Sequence, residues 1–253
     1  DPEMSRGLGD VYKRQEYVQK DPQLALYAEH MNMLMIENDS TLAEFKLSIS
    51  QKYKRHRPRL LILLGNPALL MRDEYRELWG DIPIVLCSEE NYLGPQETYT
   101  KKQAIATADR TPLTQLADPY NMVLLYSNLY LDENIQLICH IVPEIKKFIF
   151  IGDARQINQT NNLDIRNKLK KTHPNVEYQF ITPQDMTTNQ LLDSLYFVDP
   201  KTTGVLFSSW FYKTTFAGNT SLVSNAHKLI GTTAAPIFTL NMADITEENG
   251  GMI

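Results

Sequence analysis

The chain has 253 residues, 43% of them hydrophobic and 22% charged, with a formal net charge of -5. That composition excludes a disordered, collagen-like or coiled-coil chain, and the length fits two lobes that each bury a core. The acidic balance and scattered cations argue against a nucleic-acid partner, and the longest apolar run, Leu60 to Leu64, is far short of the roughly 18 residues that span a bilayer.

The first fifteen residues, DPEMSRGLGDVYKRQ, show no apolar periodicity and read as a non-native junction at 1–15. From Glu16 onward short apolar runs alternate with amphipathic stretches, the pattern of βα units on a parallel sheet. Strands are expected at LALYA (24–28), RLLILLG (59–65), IPIVLC (82–87), NMVLLY (121–126), KFIFIG (147–152), VEYQFI (176–181), GVLFSS (204–209) and PIFTLN (236–241). Runs that are apolar at every position suit strands covered on both faces.

Helices fill the intervals. In the first, Thr41 and Glu44 fit a capping box, and Leu42, Phe45, Ile49 and Tyr53 share one face. The cationic cluster from Lys52 to Arg59 closes it as a solvated helix end. Another helix opens with Asp132 and Glu133, buries Leu131, Ile135, Ile138 and Val142, and stops at Pro143. A third pairs Thr187 with Gln190 as a box and buries Leu191, Leu195 and Val198.

One connection breaks the rhythm. Ser88 to Tyr120 spans about thirty residues rich in Thr, Gln, Asp and Pro, well beyond a usual βα loop. The strand after it leads straight into a helix of the next series, which places the lobe crossing near Asn128. The division is lobe 1 at 16–127, incomplete, lobe 2 at 128–241, and the start of a return to lobe 1 at 242–253. Cys87 and Cys139 lie in apolar runs of different lobes and are not expected to pair.

No glycine-rich phosphate loop, HExxH, CxxC or GxSxG is present, and His30, His56, His140, His173 and His227 lack metal-ligand spacing. No catalytic residue, metal or cofactor is therefore expected. Open parallel sheets bind ligands beyond the carboxyl ends of their strands, where helix N-termini offer donors. That rule selects Asn66, Pro67 and Ala68; Ser88, Glu89 and Glu90; Asp153 and Arg155; Ser208, Ser209, Trp210, Phe211 and Tyr212; and Asn241. Glu29 and His30 follow the first expected strand in the same way.

Within that set, aromatics beside hydroxyls in SSWFYKTTFAGN (208–219) suit stacking of a ring or sugar, or else close the core of the second lobe. Glu89 and Glu90 are adjacent, so in an extended segment they point opposite ways and one faces solvent. Asp153 and Arg155 either hold a charged ligand or pair with each other at a helix start.

The order of LLILLGNPALLMRDEY, WGDIPIVLCSEENYLGP, KKFIFIGDARQINQ, TTGVLFSSWFYKTTFAGNT and PIFTLNMADITEENGGMI resembles the periplasmic sensor region of Bacteroides-type hybrid two-component histidine kinases. That region is similar to the type I periplasmic binding proteins that serve ABC transporters. The resemblance implies an α/β fold of two Rossmann-like lobes with parallel sheets, truncated at both ends. It also implies a small-molecule ligand, of sugar, peptide or nucleoside-like class, in an inter-lobe cleft around Asn66, Glu89, Asp153, Ser209 and Trp210. The parent would be membrane-anchored and able to dimerise, with this part in the periplasm. A free substrate-binding protein of an ABC transporter shares the fold, and an α/β enzyme would need a clustered acid, base or metal set. If the cleft reading holds, Trp210 and Glu89 face one concavity from opposite lobes.

Overall fold

A computed structural model describes residues 24–216, 219–224 and 236–240 and has a mixed α/β architecture with two separate parallel sheets. The junction expected at 1–15, the tail from Met242 and the candidate Asn241 lie outside the described residues. Asp1–Asn32 and Met33–Ile253 are two compact units. In the first, Leu24 to His30 form no regular structure, and Leu24, Leu26 and Tyr27 are exposed. The strand expected at 24–28 is therefore not formed: a short apolar run becomes a strand only where a neighbour takes its backbone hydrogen bonds.

In the second unit, helix α1 (Asp39–Tyr53) begins earlier than expected. Asn38 is its cap: Asn38 Oδ1 accepts from Thr41 N at 2.9 Å, while Thr41 Oγ1 accepts from Asn38 N at 3.2 Å. The box is thus Asn38 with Thr41 and not Thr41 with Glu44, because Asn caps at least as well as Thr and already stands in extended backbone. Leu42 and Ile49 are buried, and Lys54, Arg55, His56 and Arg57 are exposed past the helix end.

The first sheet orders β1 (Leu61–Leu64), β2 (Ile84–Ser88) and β5 (Met122–Tyr126) side by side, all parallel. A 3₁₀ turn (Asn66–Met71) and helix α2 (Arg72–Trp79) join β1 to β2. Leu63, Ile84 and Leu86 are buried, yet Ile62, Leu64, Val123 and Leu125 are 60%, 77%, 59% and 53% exposed. The register sets Ile62, Val85 and Val123 in one row and Leu64, Cys87 and Leu125 in the next, so a whole apolar face is at least partly open to water. Covering on both faces, expected from the continuous apolar runs, does not hold for this sheet.

It does hold for the second sheet, which orders β11 (Ile237–Thr239), β8 (Thr203–Phe207), β6 (Lys147–Ile151) and β7 (Glu177–Ile181), all parallel. One face packs Ile149, Ile151, Val205, Phe207 and Ile237 on Leu191 and Leu195 of α7 (Thr188–Tyr196). The other packs Phe148, Phe150, Leu206 and Phe238 on α5 (Leu131–Ile141) and α6 (Gln156–Thr172). Helix α5 comes so close that a Cβ on Gly204 would lie 2.2 Å from Ile138 Cγ2. The expected Thr187–Gln190 box caps α7, with Gln190 N donating to Thr187 Oγ1 at 3.3 Å.

The chain passes from the first sheet to the second between Tyr126 and Leu131, through Tyr130 in a left-handed conformation with φ 47°. The long connection after β2 holds several short elements: β3 (Tyr92–Leu93), α3 (Gln96–Thr100), a 3₁₀ turn (Thr107–Asp109), β4 (Thr111–Pro112) and α4 (Leu113–Ala117). Strands β3 and β4 pair antiparallel. Beyond β8 the aromatic segment becomes a hairpin arm, β9 (Phe211–Phe216), antiparallel to β10 (Asn219–Ser224). Cys87 and Cys139 are free and half-buried.

Candidate functional site

At the carboxyl end of β2 the chain turns on Ser88, whose Oγ donates to Glu90 O at 2.7 Å and accepts from Glu90 N at 3.2 Å. Glu89 is left exposed, and Glu90 is carried inward to 6% exposure. Glu90 Oε2 accepts from Asn66 Nδ2 at 2.8 Å, and Glu90 Oε1 accepts from the Tyr92 hydroxyl at 2.7 Å. The side chain of Gln156, in the first turn of α6, is buried and donates to Thr160 Oγ1 at 2.8 Å. Burial pushes the Glu90 carboxyl above the usual glutamate range, although the bonds from Tyr92 and Asn66 and the charge of Arg110 pull the other way. The Tyr92 hydroxyl is raised as well, by burial first and then by the charge of Glu90.

Past the end of β6, Asp153 is fully buried. Its Oδ1 accepts from Arg155 N, Arg155 Nε and Asn158 Nδ2, each at 2.9 Å, and its Oδ2 accepts from Ser209 Oγ at 2.7 Å. Ser209 Oγ accepts in turn from Asn158 Nδ2 at 2.9 Å, tying the ends of β6 and β8 together. Of the two roles open to Asp153 and Arg155 in the sequence, the observed one is pairing, at 2.9 Å, with the guanidinium 5.0 Å above the Phe211 ring. Asn158 Oδ1 is buried and has no donor. An acceptor left so costs about 1–3 kcal/mol of desolvation.

Trp210 does not line an opening. It is fully buried in the core between the second sheet and α7, and its Nε1 donates to Thr188 Oγ1 at 3.0 Å. The core alternative for this residue is the one the fold adopts, so the expected shared concavity of Trp210 and Glu89 is corrected. Ser208 is buried, Tyr212 packs partly against the same core, and Pro67 and Ala68 are half-buried in the first 3₁₀ turn.

The strand-end rule brought together Asn66 with Glu90 and Asp153 with Arg155 and Ser209. It missed Tyr92 and Asn158, which stand on the next element and complete both groups. A signal was present: polar residues crowd the first turns of α6, where the sequence reads QINQTNN. Among the described residues no group of three or more His, Cys, Asp or Glu is placed to hold a metal ion.

No family model, curated protein or solved structure matches this chain.

Chemically, the described residues offer a buried carboxyl held by the neutral donors Asn66 and Tyr92, and, at the end of β6, a second carboxylate paired with its own arginine.

Proposed function

We propose that the chain is the ligand-sensing extracytoplasmic part of a membrane two-component sensor histidine kinase, binding a small molecule where the strand ends of the two parallel sheets converge. In this reading the sheets are the cores of two lobes in a type I periplasmic-binding arrangement, divided near Asn128, and the parent is membrane-anchored in the periplasm and dimerises. The observation that carries it is the buried Glu90 at the carboxyl end of β2, its two carboxyl oxygens bonded by Asn66 and Tyr92. Desolvated ionisable groups with convergent polar neighbours cluster at binding sites, and parallel sheets present such sites at their carboxyl ends.

The ligand is of sugar, peptide or nucleoside-like class. Screening the 253-residue chain by thermal shift against these three classes tests the reading. One class should raise the melting temperature, since a ligand at a hundred times its Kd adds about 2.7 kcal/mol. The rise should shrink in Glu90→Gln. A panel in which no compound stabilises the chain, or in which Glu90→Gln responds as the native chain does, overturns it.

A further inference from the structure

We propose that the cationic segment 52–59, with the aliphatic side chains beside it, docks the chain on an anionic lipid surface; this stands apart from the Glu90 site. The chain as a whole is acidic, yet residues 45–72 include no Asp or Glu, and five lysines and arginines fall within 52–59. Lys52, Lys54, Arg55, Arg57 and Arg59 are all exposed. The dipole of α1 accounts for only part of this cluster, since its field fades within the last turn. Lys52 stands in that turn and Lys54 is the C-cap, whereas Arg55, Arg57 and Arg59 lie past the helix end. Among the described residues Lys54, Arg55, Arg57 and Arg59 make no ion pair. Crowded like charges repel, and nothing described in the fold offsets that repulsion, so the compensating anion is external.

Aliphatic side chains adjoin the cations. Leu60 follows Arg59 directly and is exposed; Ile62 and Leu64, also exposed, share one face of β1 because strand side chains alternate. Exposed Leu47 stands two turns before Lys54 and so on the same side of α1. The combination selects the partner. Headgroup phosphates take the cations while the boundary of the acyl chains takes the aliphatic groups. A nucleic acid would use the cations and gain nothing from the leucines. It stacks bases on aromatic rings, and the one ring in the cluster, Tyr53, is set edge-on to Trp79 with centroids 6.3 Å apart. Strand polarity fixes the orientation. Arg59 and Leu60 precede β1, Glu90 follows β2, and the two strands are parallel, so the cations and the Glu90 site lie at opposite ends of one sheet. Docking therefore leaves the Glu90 end facing away from the cationic contact.

The test is flotation of the full chain with vesicles of phosphatidylglycerol and phosphatidylcholine in equal parts, against vesicles of phosphatidylcholine alone. The chain should float with the first and not with the second, and binding should fall as salt shortens the screening length. The fourfold variant Lys54→Gln, Arg55→Gln, Arg57→Gln, Arg59→Gln should weaken binding about a hundredfold. A second fourfold variant with the same loss of charge, Lys146→Gln, Lys170→Gln, Lys171→Gln, Lys201→Gln, lies at exposed positions around the second sheet and should weaken it less than about threefold. Leu60→Gln, which leaves the charge as it is, should weaken binding about threefold. Should the first variant melt below the native chain, Arg55→Gln with Arg57→Gln is read in its place, against a loss of about tenfold. Equal binding to both vesicles, or equal losses in the two fourfold variants, overturns the lipid site. A chain that floats with neither overturns it as well, and a doubled mass that the first variant abolishes then makes the partner a second copy. Binding of a DNA duplex as tight as that of the anionic vesicles, and unchanged by Leu60→Gln, moves the assignment to nucleic acid and overturns the lipid. A ligand panel with no hit bears on the Glu90 reading alone.

Discussion

Glu90 is the residue at which the cost of burial and the proposed binding site meet. Burial dominates its environment, and its side-chain hydrogen-bond donors are the uncharged Asn66 and Tyr92, so the folded chain holds a proton on it to higher pH than the unfolded chain does. The sign follows. With the folded value above the unfolded one, Glu90 contributes most favourably below the ordinary glutamate value of 4.5, and that contribution is lost as pH rises through the raised value. Denaturant midpoints of the native chain and Glu90→Gln, taken from acid to neutral pH, should therefore diverge, with the native chain losing ground as pH rises. Parallel curves would show that the carboxyl is not raised. Trp210 gives the opposite kind of residue, structural and without a titrating group. Trp210→Ala empties a site closed on all sides and should lower the unfolding free energy by about 3–5 kcal/mol. A loss below 1.4 kcal/mol, the tenfold mark in the unfolding constant, would mean that Trp210 is not core.

At the scale of elements, legibility tracked how local the cause was. The strands of the second sheet, KFIFI and GVLF above all, were readable because both faces are buried and every position after Lys147 is apolar. The cap of α7 was readable because a Thr–Gln box is a local sequence feature, and Thr187→Ala should cost about 1 kcal/mol in thermal unfolding. Three features depended on partners distant in sequence and were not readable. LALYA has the composition of a strand and forms no regular structure; β9 is rich in Thr and aromatics, and its hairpin partner β10 lies in a segment with no apolar run. The third is the fastening of the long connection, since nothing near Arg110 announces Asp164 on another helix. That ion pair is half open to water, with side chains 18% and 31% exposed. Asp164→Ala should accordingly cost only about 1 kcal/mol, and the cost should shrink at high salt. An undiminished cost in salt would mean that Arg110 acts there by packing and not by charge.

Across the whole molecule the two sheets differ in one respect that composition hides. Both are parallel and both are built from aliphatic runs, yet the second is closed on its two faces and the first shows Ile62, Leu64, Val123 and Leu125 to solvent. Parallel sheets are ordinarily covered on both sides, and contiguous exposed apolar surface marks a place where something else packs. The energetics of substitution should separate the sheets. Phe148→Ala in β6 removes a fully buried ring and should cost about 3–5 kcal/mol. Leu64→Lys in β1 replaces a side chain already 77% exposed, so it should leave stability within about 0.5 kcal/mol of the native chain. The same substitution places a charge at the end of the open face and should suppress concentration-dependent association, read as a fall in sedimentation-average mass when the native chain and the variant are compared at equal concentration. If Leu64→Lys instead destabilises the chain by as much as Phe148→Ala, the face is covered in solution and the first sheet is closed like the second.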